Sequence, residues 1–498
     1  MTLATLELPS SEALPVTVKP VQTAPTAESE VHTLARAWFA LAFVALVIAG
    51  VFAFVPVIGR TPGLSGLIED PALAKRFLVV HVDLALLVWF GAMEQALFHL
   101  VASRSAPKAF RIGAAATAGF GTLLMLVSLA WADAEPVLSN YVPVLDHPVF
   151  LTGLGLFGAG MLVGFVSGPL SLSQERLDRR SLLPAASIPG LRACAIAFVV
   201  ALLTMAAAAQ TLPAVYTREP LYPLHFYEST FWGGGHILQV ANVAAMMSAW
   251  LLLLSPALGG SPVSRRVATI VFGLLLLPHL AGPVFALLGA QTGSYFSAFT
   301  ELMRWGIFPA VLIMLALLGT ALVRRARAGL MPRRWWLEPG VAGFGASAAL
   351  TLTGFVCGAL ISGSNVMIPA HYHASIGGVT AAFMAAAFPL MEHMKLGRLG
   401  ARGRRASAIQ PMLFGVGQVT FVVGLALAGL HGMARKVYGA EQQVSTAQQH
   451  LGLAIMAIGG VLAVTGGGLF VVLVISAWRN RRNPIGFAAA PLIGKASI

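Results

Sequence analysis

From about residue 37 onward, apolar runs of roughly 20 to 30 residues alternate with short polar stretches. Twelve such runs can be marked, at about 37–59, 77–102, 112–132, 148–170, 190–212, 226–255, 266–290, 298–323, 339–361, 368–393, 409–431 and 450–478. Crossing the hydrocarbon core of a bilayer takes about 20 apolar residues as a helix. Only helices or closed barrels satisfy their own backbone polar groups in lipid. These runs are too long for barrel strands and do not alternate with period two. The pattern predicts an all-α, polytopic membrane protein with twelve transmembrane helices over 36–480. Residues 1–35 are polar and carry Pro9, Pro15, Pro20 and Pro25. They are expected to form a disordered tail without a cleavable signal. Residues 481–498 form a second short tail.

Composition agrees with a bilayer and removes other classes. Charged residues are 10% of the 498, against about 25% in a soluble domain. Mean hydropathy is +0.81 and the net charge is +13. A water-soluble enzyme, a disordered chain and a nucleic-acid binder are set aside. The only cysteines, Cys194 and Cys357, lie far apart in apolar runs. They exclude a disulfide framework, a cysteine-ligated cluster and a covalently attached c-type haem.

Loop charge orients the runs, because cytoplasmic loops carry the excess of Lys and Arg. The loops after runs two, four, six, eight and ten, with the C-terminal tail, hold 23 of the 32 basic residues. The loops after runs three, seven and nine hold none. Both termini are therefore expected in the cytoplasm, with the protein in a bacterial inner membrane. Orientation turns sequence position into depth, at about 1.5 Å per helical residue. His81, His236, His279, His371 and His373 then all fall in the outer half of the membrane. His371 and His373, in Ala370-His371-Tyr372-His373, are two apart and point about 200° apart around one helix. They cannot ligate one ion together, but each can ligate a different centre. Neutral imidazole is the commonest metal ligand and binds haem iron axially. The alternative is two polar residues at a helix mouth, bonded to loops.

The ordered set of motifs resembles catalytic subunit one of the haem–copper oxidase superfamily. His371-Tyr372-His373 with Gly377, Gly378, Thr380 and Phe383 is similar to that family's span ten. The run from Phe77 through His81 and Asp83 to Leu84 resembles span two, and Trp232-Gly233-Gly234-Gly235-His236 resembles span six. Gly432-Met433-Ala434-Arg435-Lys436 resembles the loop after span eleven. The resemblance implies two haems. His81 and His373 would be axial ligands of a low-spin haem, and His371 the proximal ligand of a high-spin one. Arg435 and Lys436 would compensate haem propionates. The donor would be a separate subunit, a cytochrome c or a quinol.

Two departures from the pattern stand out. The family's second metal, copper or non-haem iron, usually has three histidines. Here His236 and His279 match two, and Pro278 stands where the third would be. A further ligand could be Gln239, Glu301 or water; Glu301 could equally pair with Arg304. The tyrosine of the oxygen-reducing branches is also missing, with Val240 and Phe272 at its two usual places. That tilts the implied substrate toward NO over O₂. The alternatives are a non-catalytic haem-binding homologue (a gas sensor, an electron-relay or an assembly subunit) and a twelve-span transporter. Buried ionisable residues in spans are functional candidates by default. Asp83 is a candidate outer-side proton or propionate contact, and Glu94 a deeper one. Glu228 and Arg304 are expected to reach the boundary.

Overall fold

A computed structural model describes residues 27–60, 63–68, 70–101, 107–167, 182–212, 222–437 and 443–482. The basic residues Arg104, Arg176, Arg179, Arg180 and Lys495 lie outside them, as does most of the N-terminal stretch expected as tail. Among the described residues, twelve helices are long and apolar enough to cross a membrane, in the order and number predicted. They are α1 (His32–Gly59), α2 (Ala72–Val101), α3 (Lys108–Ala130), α4 (Pro148–Ser167), α5 (Ser187–Thr211) and α6 (Tyr222–Leu258). The second half is α7 (Arg265–Leu287), α8 (Gly293–Arg327), α9 (Pro339–Ala359), α10 (Met367–His393), α11 (Ala401–Leu430) and α12 (Ala447–Arg479). The first helix already begins at Ala27, inside the stretch read as tail.

Sequence neighbours pack as antiparallel pairs: α1 with α2, α3 with α4, α5 with α6, α9 with α10, and α11 with α12. Glycine sets how closely they approach. Between lipid-embedded helices there is no hydrophobic drive, so small residues that let backbones meet supply the packing. Gly424 faces the backbone of Met456, and Gly459 faces that of Phe421, across α11 and α12. A side chain at Gly459 would drive into the Phe421 backbone. Gly459→Leu is therefore expected to cost about 1–3 kcal/mol through overpacking. Thermal unfolding of the detergent-solubilised protein measures it.

Burial sorts the helices. Within the most apolar window of α6, 83% of residues are buried, and of α10, 78%. The figures for α1, α3 and α12 are 22%, 33% and 33%. So α6 and α10, which carry His236 and the His371/His373 pair, form the centre. A buried hydrogen-bond chain ties this centre together: Trp250 Nε1 donates to Ser347 Oγ at 2.8 Å, and Ser347 Oγ donates to the Gly378 carbonyl at 2.6 Å. It joins α6, α9 and α10.

Three helices lose regular α geometry where candidate groups lie. A π-helical turn, Leu84–Val88, follows His81 and Asp83 in α2. Another, Met303–Ile307, follows Glu301 in α8. A 3₁₀ segment, Leu277–Ala281, carries Pro278 and His279 in α7. Proline accounts for the last, since it lacks the N–H that the α ladder needs. Single π turns inside helices are frequent at functional sites. A small antiparallel hairpin, β1 (Glu135–Val137) with β2 (Val144–Asp146), fills the α3–α4 loop at the charge-poor end. Tyr141 sits at its tip with φ at +67°.

Candidate functional site

The depth of His81 and His373 can be compared through one contact. Trp89 and Phe90 of α2 both meet Phe383 of α10 edge-on, with ring centroids 6.1 and 5.8 Å apart. The two helices run in the same direction. His81 stands eight residues before Trp89, and His373 ten before Phe383. At 1.5 Å per residue these are about 12 and 15 Å above the shared contact. The two histidines therefore sit at nearly one height on adjacent central helices. All of His81, His371 and His373 are half-buried although set inside spans, so their rings border open space.

His371 and His373 meet different neighbours. His371 Nδ1 lies 2.7 Å from the Gly354 carbonyl of α9, and its ring fits against Gly358, where a side chain would collide. His373 instead packs its ring against Phe421 of α11, at 4.9 Å between centroids. His81 Nδ1 lies 2.8 Å from the Ala49 carbonyl of α1. A carbonyl can only accept, so Nδ1 carries the proton in both His81 and His371. Nε2 is left unprotonated, with its lone pair available to a ligand. Metal-binding histidines are held in this way by their second nitrogen.

The residues expected around a second metal fare differently. His236 and His279 are buried and are electrostatic neighbours. The His236 ring is fixed by Nδ1 donation to the Trp232 carbonyl at 2.7 Å, and that of His279 by donation to the Leu275 carbonyl at 2.8 Å. Nε2 of His279 makes no well-formed hydrogen bond, and the Leu302 carbonyl gives its ring only a weaker polar contact. Its ring is accommodated by Gly306 in the π turn of α8. Nε2 of His236, however, is 2.8 Å from the Tyr141 hydroxyl. Of the two roles left open for Glu301, the structure shows the pair with Arg304. Its side chain is 50% exposed and is engaged by Arg304 at 2.7 Å and by the Trp305 indole at 2.9 Å. Gln239 accepts from Asn242 at 3.3 Å and lines a small cavity with Glu94, Asn242 and Tyr141. Among the described residues, no three His, Cys, Asp or Glu side chains cluster as a metal site would require. One free imidazole nitrogen with no third donor does not fit copper or non-haem iron.

Sequence reasoning missed Tyr141 altogether. It lies far from His236 in the chain, in a polar loop with no motif, and only the fold brings it there. The phenol is pushed well above its ordinary range by burial and by the nearby Glu228 charge, so it stays protonated. With His236 protonated at Nδ1, the hydroxyl donates to Nε2. A clamp aims it. Glu228 Oε2 accepts from the Asn140 backbone N–H at 2.9 Å, and Glu228 Oε1 from the Asn140 amide. Arg435 donates to Asn140 Oδ1 at 3.2 Å and to Ser364 Oγ at 3.1 Å. Glu228, expected merely to reach the boundary, is thus spent on this loop.

The glycines before His236 admit side chains. Gly233 makes room for Tyr295 and Phe299, Gly234 for Met205, and Gly235 for Tyr141. Removing the clamp carboxylate by Glu228→Ala leaves the Asn140 donors unpaired, at an expected cost of about 1–3 kcal/mol. Faster amide exchange at Asn140 and Tyr141 measures it.

Arg435 and Lys436 are carried to the top of α10. Met433 accepts from the Val366 N–H at 3.0 Å, and Asn365 and Ala434 form a β-bridge. This staples the loop after α11 to the turn that begins α10. Burial lowers the Lys436 ammonium from its ordinary range, Glu228 opposing and Arg435 reinforcing that shift. On α2, Asp83 is fully buried and both its carboxylate oxygens lack a partner. Glu94 is also buried and hydrogen-bonds the Cys194 thiol.

Twelve helices, with His81 and His373 at nearly one height on α2 and α10, define the class: a polytopic membrane protein with the fold of a haem–copper oxidase core subunit. A heme-copper terminal oxidase dimer solved by cryo-EM superposes with a TM-score of 0.71 over 90% of this chain and 84% of that one, at 17% identity. The family model for cytochrome c and quinol oxidase polypeptide I matches residues 33–462. The chain belongs to that family, as a divergent member. An uncharacterized protein of Rickettsia prowazekii is 24% identical over 517 residues, covering 90% of this chain and 96% of the relative. Another, from Aquifex aeolicus, is 28% identical over 373 residues, covering 72% and 86%.

Proposed function

We propose that this chain is the haem-bearing core of a membrane oxidoreductase, passing electrons from an outer donor to a small gas, NO or O₂. The observation that carries the reading is the shared height of His81 and His373, with His371 turned to the opposite side of α10. His81 and His373 would hold a low-spin haem and His371 a high-spin one. Bound haems would supply one-electron relay and, at the five-coordinate iron, gas binding. The rest is done by the protein. The Ala49 and Gly354 carbonyls fix the tautomers of His81 and His371, so that each presents a neutral Nε2. α10, standing between the two sides, sets their separation. Arg435 and Lys436, stapled over the start of α10, supply positive charge where propionates of groups held on α10 would emerge. Asp83, buried and unpaired on the other face of α2 from His81, would hold a proton or a water there.

Copper or non-haem iron has no part in this reading, because the donor set at His236 and His279 does not fit it. The preference for NO over O₂ still rests on Val240 and Phe272 at the two usual tyrosine places. Tyr141, which meets His236 from another part of the chain, is at neither of them. A second reading, a haem-binding gas sensor or electron relay, is favoured by that same contact. The donor would be a separate subunit, a cytochrome c or a quinol, since the sequence holds no C-x-x-C-H motif for a covalently attached haem. The termini and basic loops face the cytoplasm of a bacterial inner membrane by the charge rule.

A reduced-minus-oxidised optical spectrum of the purified chain, with haem quantified per chain, tests the reading. Two haems are expected, one of them low-spin. A colourless preparation would overturn it.

A further inference from the structure

We propose that Tyr141 takes the place of the second metal, so that the pocket at His236 is closed by a tyrosine–histidine hydrogen bond and is built for one metal only. Taking His236 as part of the gas pocket rests on the oxidoreductase reading above. The exclusion of a second metal does not.

Four observations converge. The Tyr141 hydroxyl is 2.8 Å from His236 Nε2, the one nitrogen of that ring not already committed to the Trp232 carbonyl. The rings lie 4.5 Å apart between centroids, tilted by 47°, so the phenol packs beside the imidazole as well as bonding its nitrogen. A metal would need that same lone pair, since Nδ1 carries the proton. The backbone is shaped for the contact. Tyr141 adopts φ +67°, a left-handed conformation that costs a bulky residue energy and persists only where its surroundings hold it. Gly235 makes the seat: a Cβ there would overlap the Tyr141 Cβ.

The third observation is the clamp. Glu228 of α6 and Arg435 of the loop after α11 both grip Asn140, the residue before Tyr141. The tyrosine is thus held from two directions, by elements that have no other reason to meet. The fourth is the donor count. Pro278 removes one expected imidazole, Glu301 is turned outward to Arg304 and Trp305, and no three-ligand cluster exists among the described residues. His279 alone keeps a free nitrogen. A lone imidazole is no closed site, because divalent sites of this kind take at least three protein ligands.

The consequence is chemical. Two-electron chemistry shared between a haem iron and a neighbouring metal has no second partner here. What replaces it is a neutral O–H···N pair, fixed in place by the clamp on Asn140.

The experiment uses the full chain, purified in detergent and washed with chelator. It is then challenged separately with Cu⁺, Fe²⁺ and Zn²⁺. Metals are counted per chain, and haem is quantified separately by its optical spectrum. Non-haem metal should stay below about a tenth of one equivalent, as two imidazoles with one blocked cannot close a site. About one equivalent that disappears in His236→Ala would overturn the proposal. The second readout is infrared, on protein carrying ring-labelled tyrosine. The Tyr141 phenol band is assigned by its loss in Tyr141→Phe. It should shift in His236→Ala, or in His236→Leu, which keeps more of the volume if the alanine variant does not fold. A band that stays put would show that no such bond exists. A colourless preparation whose band still shifts would strike the haem reading and leave this one standing.

Discussion

Replacing His373 by alanine is expected to abolish the low-spin haem spectrum and leave the high-spin one; replacing His371 should do the reverse. The asymmetry follows from one helix. Two residues along α10 turn the side chain by about 200°. His371 is tied to the Gly354 carbonyl of α9, and His373 lies against Phe421 of α11. Neither can take over the role of the other without rotating α10, whose window is 78% buried. His81→Ala should copy His373→Ala, because the two stand at one height on neighbouring helices. Optical and EPR spectra of the three variants read this directly. If His371→Ala and His373→Ala lost the same signal, the division between two centres would be wrong.

Gly235→Val has the second largest expected effect, and it acts at a distance from any haem ligand. The added branched side chain would claim the space of the Tyr141 Cβ. Tyr141 cannot retreat along its own loop, because Asn140 is held by Glu228 and Arg435. Either the hairpin tip lifts off, or α6 moves away from it. Overpacking of this kind costs about 1–3 kcal/mol. Losing the bond to His236 adds about 1 kcal/mol more. A fall in the thermal midpoint, with loss of the Tyr141–His236 infrared signature, measures it. Gly235→Ala should show a smaller fall in the same direction.

Most of the architecture was legible in the chain. Twelve apolar runs gave twelve helices, because a bilayer allows almost nothing else to 20 consecutive apolar residues. Loop arginines separated the two ends. The spacing of His371 and His373 announced two directions, and the structure provides a different neighbour for each. The glycines of Trp232-Gly233-Gly234-Gly235-His236 were visible as small residues, but not what they make room for. Each admits a different side chain, from Tyr295, Met205 and Tyr141.

Glu301 shows the opposite limit. A glutamate eight residues into α8 could read as a ligand or as half of an i,i+3 pair, and periodicity weighs both alike. Only the side chain's exposed direction, toward Arg304 and Trp305, decided it.

Tyr141 marks the boundary between the two kinds of information. The sequence by itself determined the helices and the spacing of the histidines along them, because helix length and pitch are one-dimensional quantities. Which groups meet across the bundle was settled only by tertiary structure. A hairpin in the α3–α4 loop, an acid at the start of α6 and an arginine after α11 are far apart in the chain. Their convergence depends on how the helices pack, and no local period encodes it.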